Sequence, residues 1–125
     1  KMGYISKFFE IFFNQTETET ETPNIDKCVS VYAEFKFKNG EKSKFVDILK
    51  GPDGLTLTRN FPGCVQIEYY DNLDEPDTLV IWQKWESRED HVAYLKKRED
   101  DGMLKFLEDK LVSPLKPVYM TYDIY

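Results

Sequence analysis

Residues 78–98 read TLVIWQKWESREDHVAYLKKR, and the pattern of apolar side chains changes within this stretch. Residues 78–86 are rich in β-branched and aromatic side chains, which predicts a strand. Ser87 is a favourable N-cap, and Asp90 follows it with the spacing of a capping box. The helix that begins there is expected to run to about Glu99. A strand joined directly to a helix predicts a domain in which the helix packs back on a sheet.

The chain from residue 28 onward carries similar patterns. Apolar side chains alternate with polar ones over residues 29–37, which predicts a first strand that ends at the Asn39-Gly40 turn. A helix is predicted over residues 41–50, and Gly51-Pro52 stops it. In chain order, the other predicted elements are a short helical turn at 53–60, a strand at 64–71, a helix at 103–112 after Gly102, and a final strand at 118–125.

The resulting order of elements is β-α-β-β-α-β with an extra helix before the last strand. Right-handed crossovers place the third strand between the first and the second, and the fourth on the other side of the first. The predicted fold class is therefore α+β, with a ferredoxin-like antiparallel sheet. Each strand carries apolar or aromatic groups on both sides, but helices cover only one face. A second subunit is the expected cover for the other face, which predicts a homodimer.

Composition excludes several classes of function. The 125 residues carry a net charge of −6 with no basic stripe, so a nucleic-acid partner is not expected. No apolar run reaches the roughly 18 residues of a membrane span. Cys28 and Cys64 fall on strands that are not neighbours, so we expect no disulfide and a reducing, cytoplasmic location. With a single histidine, they are too few for a closed zinc site.

The segment before residue 28 differs from the rest. Residues 1–14 are predicted to form an amphipathic helix, which either docks on its own domain or dimer mate or anchors to a membrane. Residues 15–27 include the acidic repeat TETETET and are expected to form a flexible linker. Residues 28–125 make up the predicted α+β domain.

The helix after Ser87 suggests where chemistry occurs. His91, Tyr94, Leu95 and Arg98 lie at i, i+3, i+4 and i+7, so all four share one face. That face should pack on the sheet, and polar groups there need partners or a cavity that holds water or a ligand. A purely structural interpretation also stands, because a tyrosine hydroxyl can reach the surface and an arginine can snorkel. If His91 lines a pocket, the nearby helix N-terminus favours its neutral form.

Trp85 and Arg59 are further candidates with structural alternatives. Trp85 ends the third strand, where it is either a core tryptophan or a flat wall for an aromatic ligand. Arg59 is explained either as a cation at a helix C-terminus or as a ligand contact. The sequence contains no nucleophile-elbow, P-loop, dinucleotide or zinc-protease motif.

Several segments together resemble the antibiotic biosynthesis monooxygenase domain family. They are Gly54-Leu55, Thr58-Arg59, the turn at 61–64 (FPGC), the segment 85–91 (WESREDH), Tyr94-Leu95 and Arg98. The resemblance covers nearly all of residues 28–125 and implies a dimeric α+β barrel with a pocket between sheet and helices. It implies oxidation of electron-rich aromatics or quinols by molecular oxygen without metal, flavin or haem.

The resemblance also implies roles for individual residues. His91 would accept or relay a phenolic proton and Arg98 would hold the resulting anion, which makes these two the catalytic candidates. Trp85 and Tyr94 would stack on a small aromatic substrate. Tyr32 and Arg59 complete the predicted substrate-binding set.

Two other functions stay open at this point. Members of the family without turnover imply a small-molecule-binding or structural dimer. A related haem-degrading branch uses a first-strand asparagine, a tryptophan that Trp85 matches, and a histidine ligand whose position falls near Leu104. The first strand here has no asparagine, so the match to that branch is partial.

Overall fold

The computed structural model describes residues 28–121. The predicted N-terminal helix at 1–14, the acidic linker at 15–27 and residues 122–125 lie outside the described residues. In chain order the elements are β1 (Val29–Lys36), α1 (Lys42–Lys50), α2 (Leu55–Arg59), β2 (Cys64–Asp71), β3 (Thr78–Trp85), α3 (Arg88–Asp100), α4 (Met103–Lys110) and β4 (Val118–Met120).

The four strands form one antiparallel sheet in the order β2-β3-β1-β4, as the crossover argument predicts. The long central pair runs from Val29 opposite Trp85 to Lys36 opposite Thr78. β4 is short and adds only three residues to the edge of β1. The α+β, ferredoxin-like prediction is therefore confirmed for the described residues.

The inner face of the sheet carries the core. Alternate residues of β1 and β3 point toward the helices, and Leu79 and Trp85 are fully buried there. Phe35 and Phe37 pack against Phe45 of α1, with ring centroids 5.4 Å from Phe45 in both cases. Full burial of such side chains contributes roughly 1.5–3 kcal/mol each, which fixes the helices against this face.

The outer face of the sheet is half exposed in this chain. Tyr32, Val118 and Met120 lie on it and are 38–49% exposed. Trp82 lies beside Tyr32 in the register of β1 and β3. Large apolar groups therefore lie on the face that none of the helices within residues 28–121 covers.

The predicted ends of two elements need correction. α4 ends at Lys110 instead of residue 112, because Leu111 turns to an extended conformation and pairs with Phe37. β4 ends at Met120 within the described residues. Cys64 carries a free thiol. Within the part of the chain that the structure describes, no helix is long and apolar enough to cross a membrane.

Candidate active site

The N-terminus of α3 is fixed by its cap. Ser87 has an extended backbone, and its Oγ accepts a hydrogen bond from the Asp90 backbone N–H at 3.1 Å. The Ser87 hydroxyl donates in turn to Asp90 Oδ2 at 3.0 Å. Gly63 packs so tightly here that an added Cβ would come within 2.5 Å of Asp90. This anchoring sets the rotation of α3, which turns the next residues toward the sheet.

The inward face of α3 is the polar face that the sequence predicts. His91, Tyr94, Leu95 and Arg98 are all buried, between 1% and 7% exposed. Val92 joins them at the flank. Three polar side chains therefore lie between the helix and the sheet.

His91 is held by a partner that the sequence did not suggest. Its Nδ1 lies 2.6 Å from the hydroxyl of Tyr119 on β4. The rings of Trp85 and Tyr119 contact the imidazole edge-on, each with centroids 5.5 Å away. Burial lowers the pKa of His91 to about 3, so the ring is neutral at physiological pH. The expectation of a neutral imidazole agrees with this, but burial and not the helix N-terminus is its main cause.

Tyr119 is itself enclosed. The Arg88 guanidinium lies over its ring at 4.5 Å from the centroid. Burial raises the pKa of the Tyr119 hydroxyl, which therefore stays protonated. An edge strand of only three residues gave no periodicity from which an inward Tyr119 could be recognised.

Arg98 and Tyr94 form a second network with the α1–α2 connection. Arg98 Nε donates to the Tyr94 hydroxyl at 2.8 Å, and Arg98 Nη2 donates to the Gly54 carbonyl at 3.1 Å and to Thr58 Oγ1 at 3.2 Å. Thr58 Oγ1 and the Tyr94 hydroxyl are 2.7 Å apart. Arg98 Nη1 also faces Asp101 at 3.3 Å. The guanidinium predicted to hold a substrate anion thus already binds protein groups on each of its nitrogens.

Trp85 and Gln83 form a third pair. The Trp85 indole N–H donates to Gln83 Oε1 at 2.8 Å. Trp85 is completely buried and packs against Phe61 and Tyr94, so it occupies a core position. Gln83 was not among the predicted site residues. Its place between Ile81 and Trp85, on the inward side of β3, was the signal that a polar side chain faces the core.

The structure does not bring Tyr32 and Arg59 to this site. Tyr32 lies on the outer face of the sheet, because it alternates with the buried Val31 and Ala33. Arg59 is exposed at the end of α2 and donates to the Ile67 carbonyl at 3.4 Å. The C-terminal position in α2 agrees with the structural interpretation of Arg59.

A cavity of about 70 Å³ lies between the inner face of the sheet and the helices. Most of its lining is aliphatic or aromatic, and its polar lining residues are Thr58, Gln83, His91, Tyr94 and Arg98. This volume exceeds that of one water molecule but is well below the roughly 300–1,000 Å³ of typical ligand pockets. Trp85 packs behind the lining and does not belong to it.

A larger groove of about 420 Å³ opens on the helix side of the molecule. Ile48, Arg98 and Met103 line both the groove and the cavity, so these three residues form the partition between them. Among residues 28–121, no group of three or more histidine, cysteine, aspartate or glutamate side chains is placed to hold a metal ion.

Several solved structures share this fold. A conserved protein from Methanosarcina mazei is 15% identical, with a TM-score of 0.68 over 78% of this chain and 95% of that one. The monooxygenase ActVA-Orf6 of Streptomyces coelicolor, solved with Nanaomycin D, is 19% identical, with a TM-score of 0.65 over 82% and 93%. Rv0793 of Mycobacterium tuberculosis is 20% identical, with a TM-score of 0.62 over 79% and 98%.

These identities show a common fold and nothing further. No curated protein matches this chain significantly. The family model of antibiotic biosynthesis monooxygenases matches residues 28–101, a span that contains β1 to β3, the cap at Ser87 and the whole polar face of α3. Because this span is more than half of the chain, the protein belongs to the antibiotic biosynthesis monooxygenase family.

Proposed function

We propose that this protein is a monooxygenase that oxidises a small aromatic or quinol-like substrate with molecular oxygen, without a bound metal, flavin or haem. The proposal is supported by family membership and by one structural observation. An apolar cavity between sheet and helices is lined by a fully buried neutral imidazole and by four further polar side chains. Apolar walls exclude water, and the few polar groups orient the ligand.

The proposed reaction needs no electron donor other than the substrate. The substrate anion gives one electron to O₂, and the resulting radical and superoxide combine to form a carbon–oxygen bond. For an anthrone-type CH₂ group, the hydroperoxide then loses water as its O–O bond breaks. The overall balance is CH₂ plus O₂ giving C=O plus H₂O.

The polar residues divide into two groups in this proposal. His91 and Gln83 are the proposed contacts of the substrate oxygen, because both line the cavity and each is held in place by a protein partner, Tyr119 and Trp85 respectively. Arg98, Tyr94 and Thr58 instead hold the partition wall closed through their mutual hydrogen bonds. The small cavity must enlarge to accept an aromatic ring, and displacement of Arg98 and Met103 would join it to the outer groove.

We also propose that the working form is a homodimer in which a second copy covers the outer face of the sheet. The exposed tyrosine, valine and methionine side chains of that face support this, since together they form an apolar surface that none of the described elements covers. Replacing Trp82 with glutamate should convert the dimer to a monomer in size-exclusion chromatography with light scattering. A monomeric wild-type protein would disprove the dimer.

Oxygen consumption with a panel of anthrones and quinols tests the activity. Wild-type protein should accelerate substrate-dependent oxygen uptake above the rate without protein, and His91→Gln should remove most of that acceleration. Lys96→Gln is the matched control, because Lys96 is exposed on the opposite face of α3. Equal uptake by the wild type and His91→Gln would show that this cavity is not the site of oxidation.

A second candidate, ligand binding without turnover, is favoured by the small volume of the cavity. In that case a panel member would bind and quench tryptophan fluorescence, while oxygen uptake stayed at the background rate. Haem degradation receives less support, because Leu104 offers no metal-ligating atom and the cavity is far smaller than a haem.

A further inference from the structure

The guanidinium of Arg98 lies in the partition between the inner cavity and the outer groove. Its Nε donates to the Tyr94 hydroxyl at 2.8 Å, and its Nη2 donates to the Gly54 carbonyl at 3.1 Å and to Thr58 Oγ1 at 3.2 Å. These three partners line the cavity but not the groove. The Nη1 of Arg98 donates to Asp101 Oδ2 at 3.3 Å, and Asp101 lines the groove but not the cavity. One side chain therefore binds both sides of the partition.

Asp101 holds two of the three residues that form the partition. Its Oδ1 accepts a hydrogen bond from the Met103 backbone N–H at 3.0 Å, while its Oδ2 accepts from Arg98. Asp101 follows the last residue of α3, and Met103 is the first residue of α4. The Asp101 side chain is 28% exposed and the Arg98 side chain 7% exposed, so water reaches the groove side of this network.

The cavity-side partners of Arg98 also bind one another. The Thr58 hydroxyl donates to the Gly54 carbonyl at 3.3 Å, and the Thr58 backbone N–H donates to the same carbonyl at 3.2 Å. The Tyr94 hydroxyl lies 2.7 Å from Thr58 Oγ1 and can donate to it. If Arg98 moves toward the groove, these groups keep hydrogen-bond partners, so the movement avoids the cost of an unsatisfied buried group. The guanidinium can keep its ion pair with Asp101 in both positions.

The volumes of the two spaces show why the partition must open for an aromatic ligand. The cavity has about 70 Å³, whereas an engineered protein cavity that binds benzene has roughly 150 Å³. A single aromatic ring is therefore too large for the cavity while the partition is closed. The groove offers about 420 Å³ on the other side, which lies within the range of roughly 300–1,000 Å³ for ligand pockets.

The lining of the groove indicates which ligand fits. Its half-buried apolar residues are Ile48, Leu57, Met103 and Phe106. Its exposed charged residues are Asp53, Lys97 and Asp101. A flat apolar ring system can pack against the first set, and a polar substituent at its far end would lie beside the second set in contact with water.

We infer that Arg98 and Asp101 form a latch across the partition, and that the ligand is a fused-ring molecule that enters from the groove and spans the opened partition. The inference rests on the proposed function, because it takes the cavity as the ligand site. It narrows the substrate class to fused-ring phenols and quinols that carry a polar group at the far end. Arg98 is a positioning residue in this inference, in place of its expected role as the group that holds a substrate anion.

Removal of the latch tests the inference, because a latch and a ligand-binding group have opposite effects on affinity. The probes are 2-naphthol and 2,6-dihydroxynaphthalene, which are neutral at pH 7. Stopped-flow quenching of tryptophan fluorescence gives their rate constants of association and dissociation. Arg98→Met should raise the association rate constant and the affinity about tenfold or more, because the protein no longer has to open before it binds. An unchanged or lower association rate constant, or a weaker affinity, would overturn the inference.

Two further variants complete this experiment. Lys96→Met is the matched control, because Lys96 is exposed on α3 and lines neither the cavity nor the groove. Its rate constants should equal those of the wild type. If Arg98→Met does not fold, Arg98→Lys provides the same comparison. A compact ammonium group lacks the planar fork with which Arg98 binds both sides of the partition, so association should again be faster than in the wild type.

The position of the bound ring is tested separately by nuclear Overhauser effects between 2-naphthol and the methyl groups of the wild-type protein. We expect contacts to Leu57, which lines the groove, together with contacts to Ile81 and Leu95, which line the cavity. Contacts to only one of these two sets would show that the ligand does not span the partition. If neither the wild type nor Arg98→Met binds either probe, the joined space is not a ligand site and the inference is wrong.

These outcomes are distinguishable from failure of the oxidation itself. If Arg98→Met binds the probes faster while oxygen uptake stays at the background rate, the latch is retained and the monooxygenase activity is lost. If the protein oxidises anthrones but binds 2-naphthol at the same rate with and without Arg98, the activity is retained and the latch is lost.

Discussion

Acidification should destabilise this protein through one buried side chain, His91. Its pKa is about 3 in the folded protein, compared with 6.5 for an imidazole in water. Between these values the unfolded chain binds a proton that the folded chain does not bind, so the free energy of unfolding falls as pH falls below 6.5. The sign follows from burial, which penalises the charged imidazolium.

The magnitude follows from the two pKa values. Each pH unit within the window costs at most about 1.4 kcal/mol, so a decrease from pH 7.5 to 5.0 should cost roughly 2 kcal/mol. Most side-chain carboxyl groups titrate below about pH 5, so this upper part of the window reports mainly on the imidazole. The chain contains one histidine, so no other imidazole contributes.

Urea unfolding at a fixed protein concentration between pH 7.5 and 5.0 measures the effect, with His91→Gln as the comparison. The variant should be less stable at pH 7.5 but should lose much less stability on acidification. In the wild type, the imidazole ¹H signal should not titrate down to pH 5. Parallel pH profiles for the two proteins, or an imidazole that titrates near pH 6.5, would refute the reasoning.

Two further substitutions test the wall around the cavity. Tyr94→Phe removes the acceptor of a buried guanidinium N–H and should cost about 2–3 kcal/mol in urea unfolding, whereas Tyr70→Phe on the exposed face should change stability by about 0.5 kcal/mol or less. An equal effect of both changes would argue against the buried network. Gly54→Ala places a Cβ 2.2 Å from the Ile48 carbonyl oxygen. This clash should lower the melting temperature by roughly 10 °C or more. An unchanged melting temperature would show that α1 and α2 can separate easily.

The sequence alone determined the element order, the strand order and the buried face of α3. Strand alternation and helical spacing follow from backbone dihedral angles, and the handedness of crossovers follows from strand twist. These rules are local or general, so they needed no knowledge of side-chain partners. The same alternation assigned Tyr32 to the side opposite Val31 and Ala33.

The tertiary structure alone decided which atoms meet. His91 and Tyr119 are 28 residues apart, and Thr58 and Tyr94 are 36 apart, so their contacts depend on how β4 and α2 dock against α3. Such docking depends on the packing of many side chains at once. Strand alternation and helical spacing describe single elements, so they do not predict how two elements dock. The sequence could place an imidazole, a phenol and a guanidinium on one helix face. Only the packed structure could show that the guanidinium closes a wall and that a tyrosine on the edge strand holds the imidazole in place.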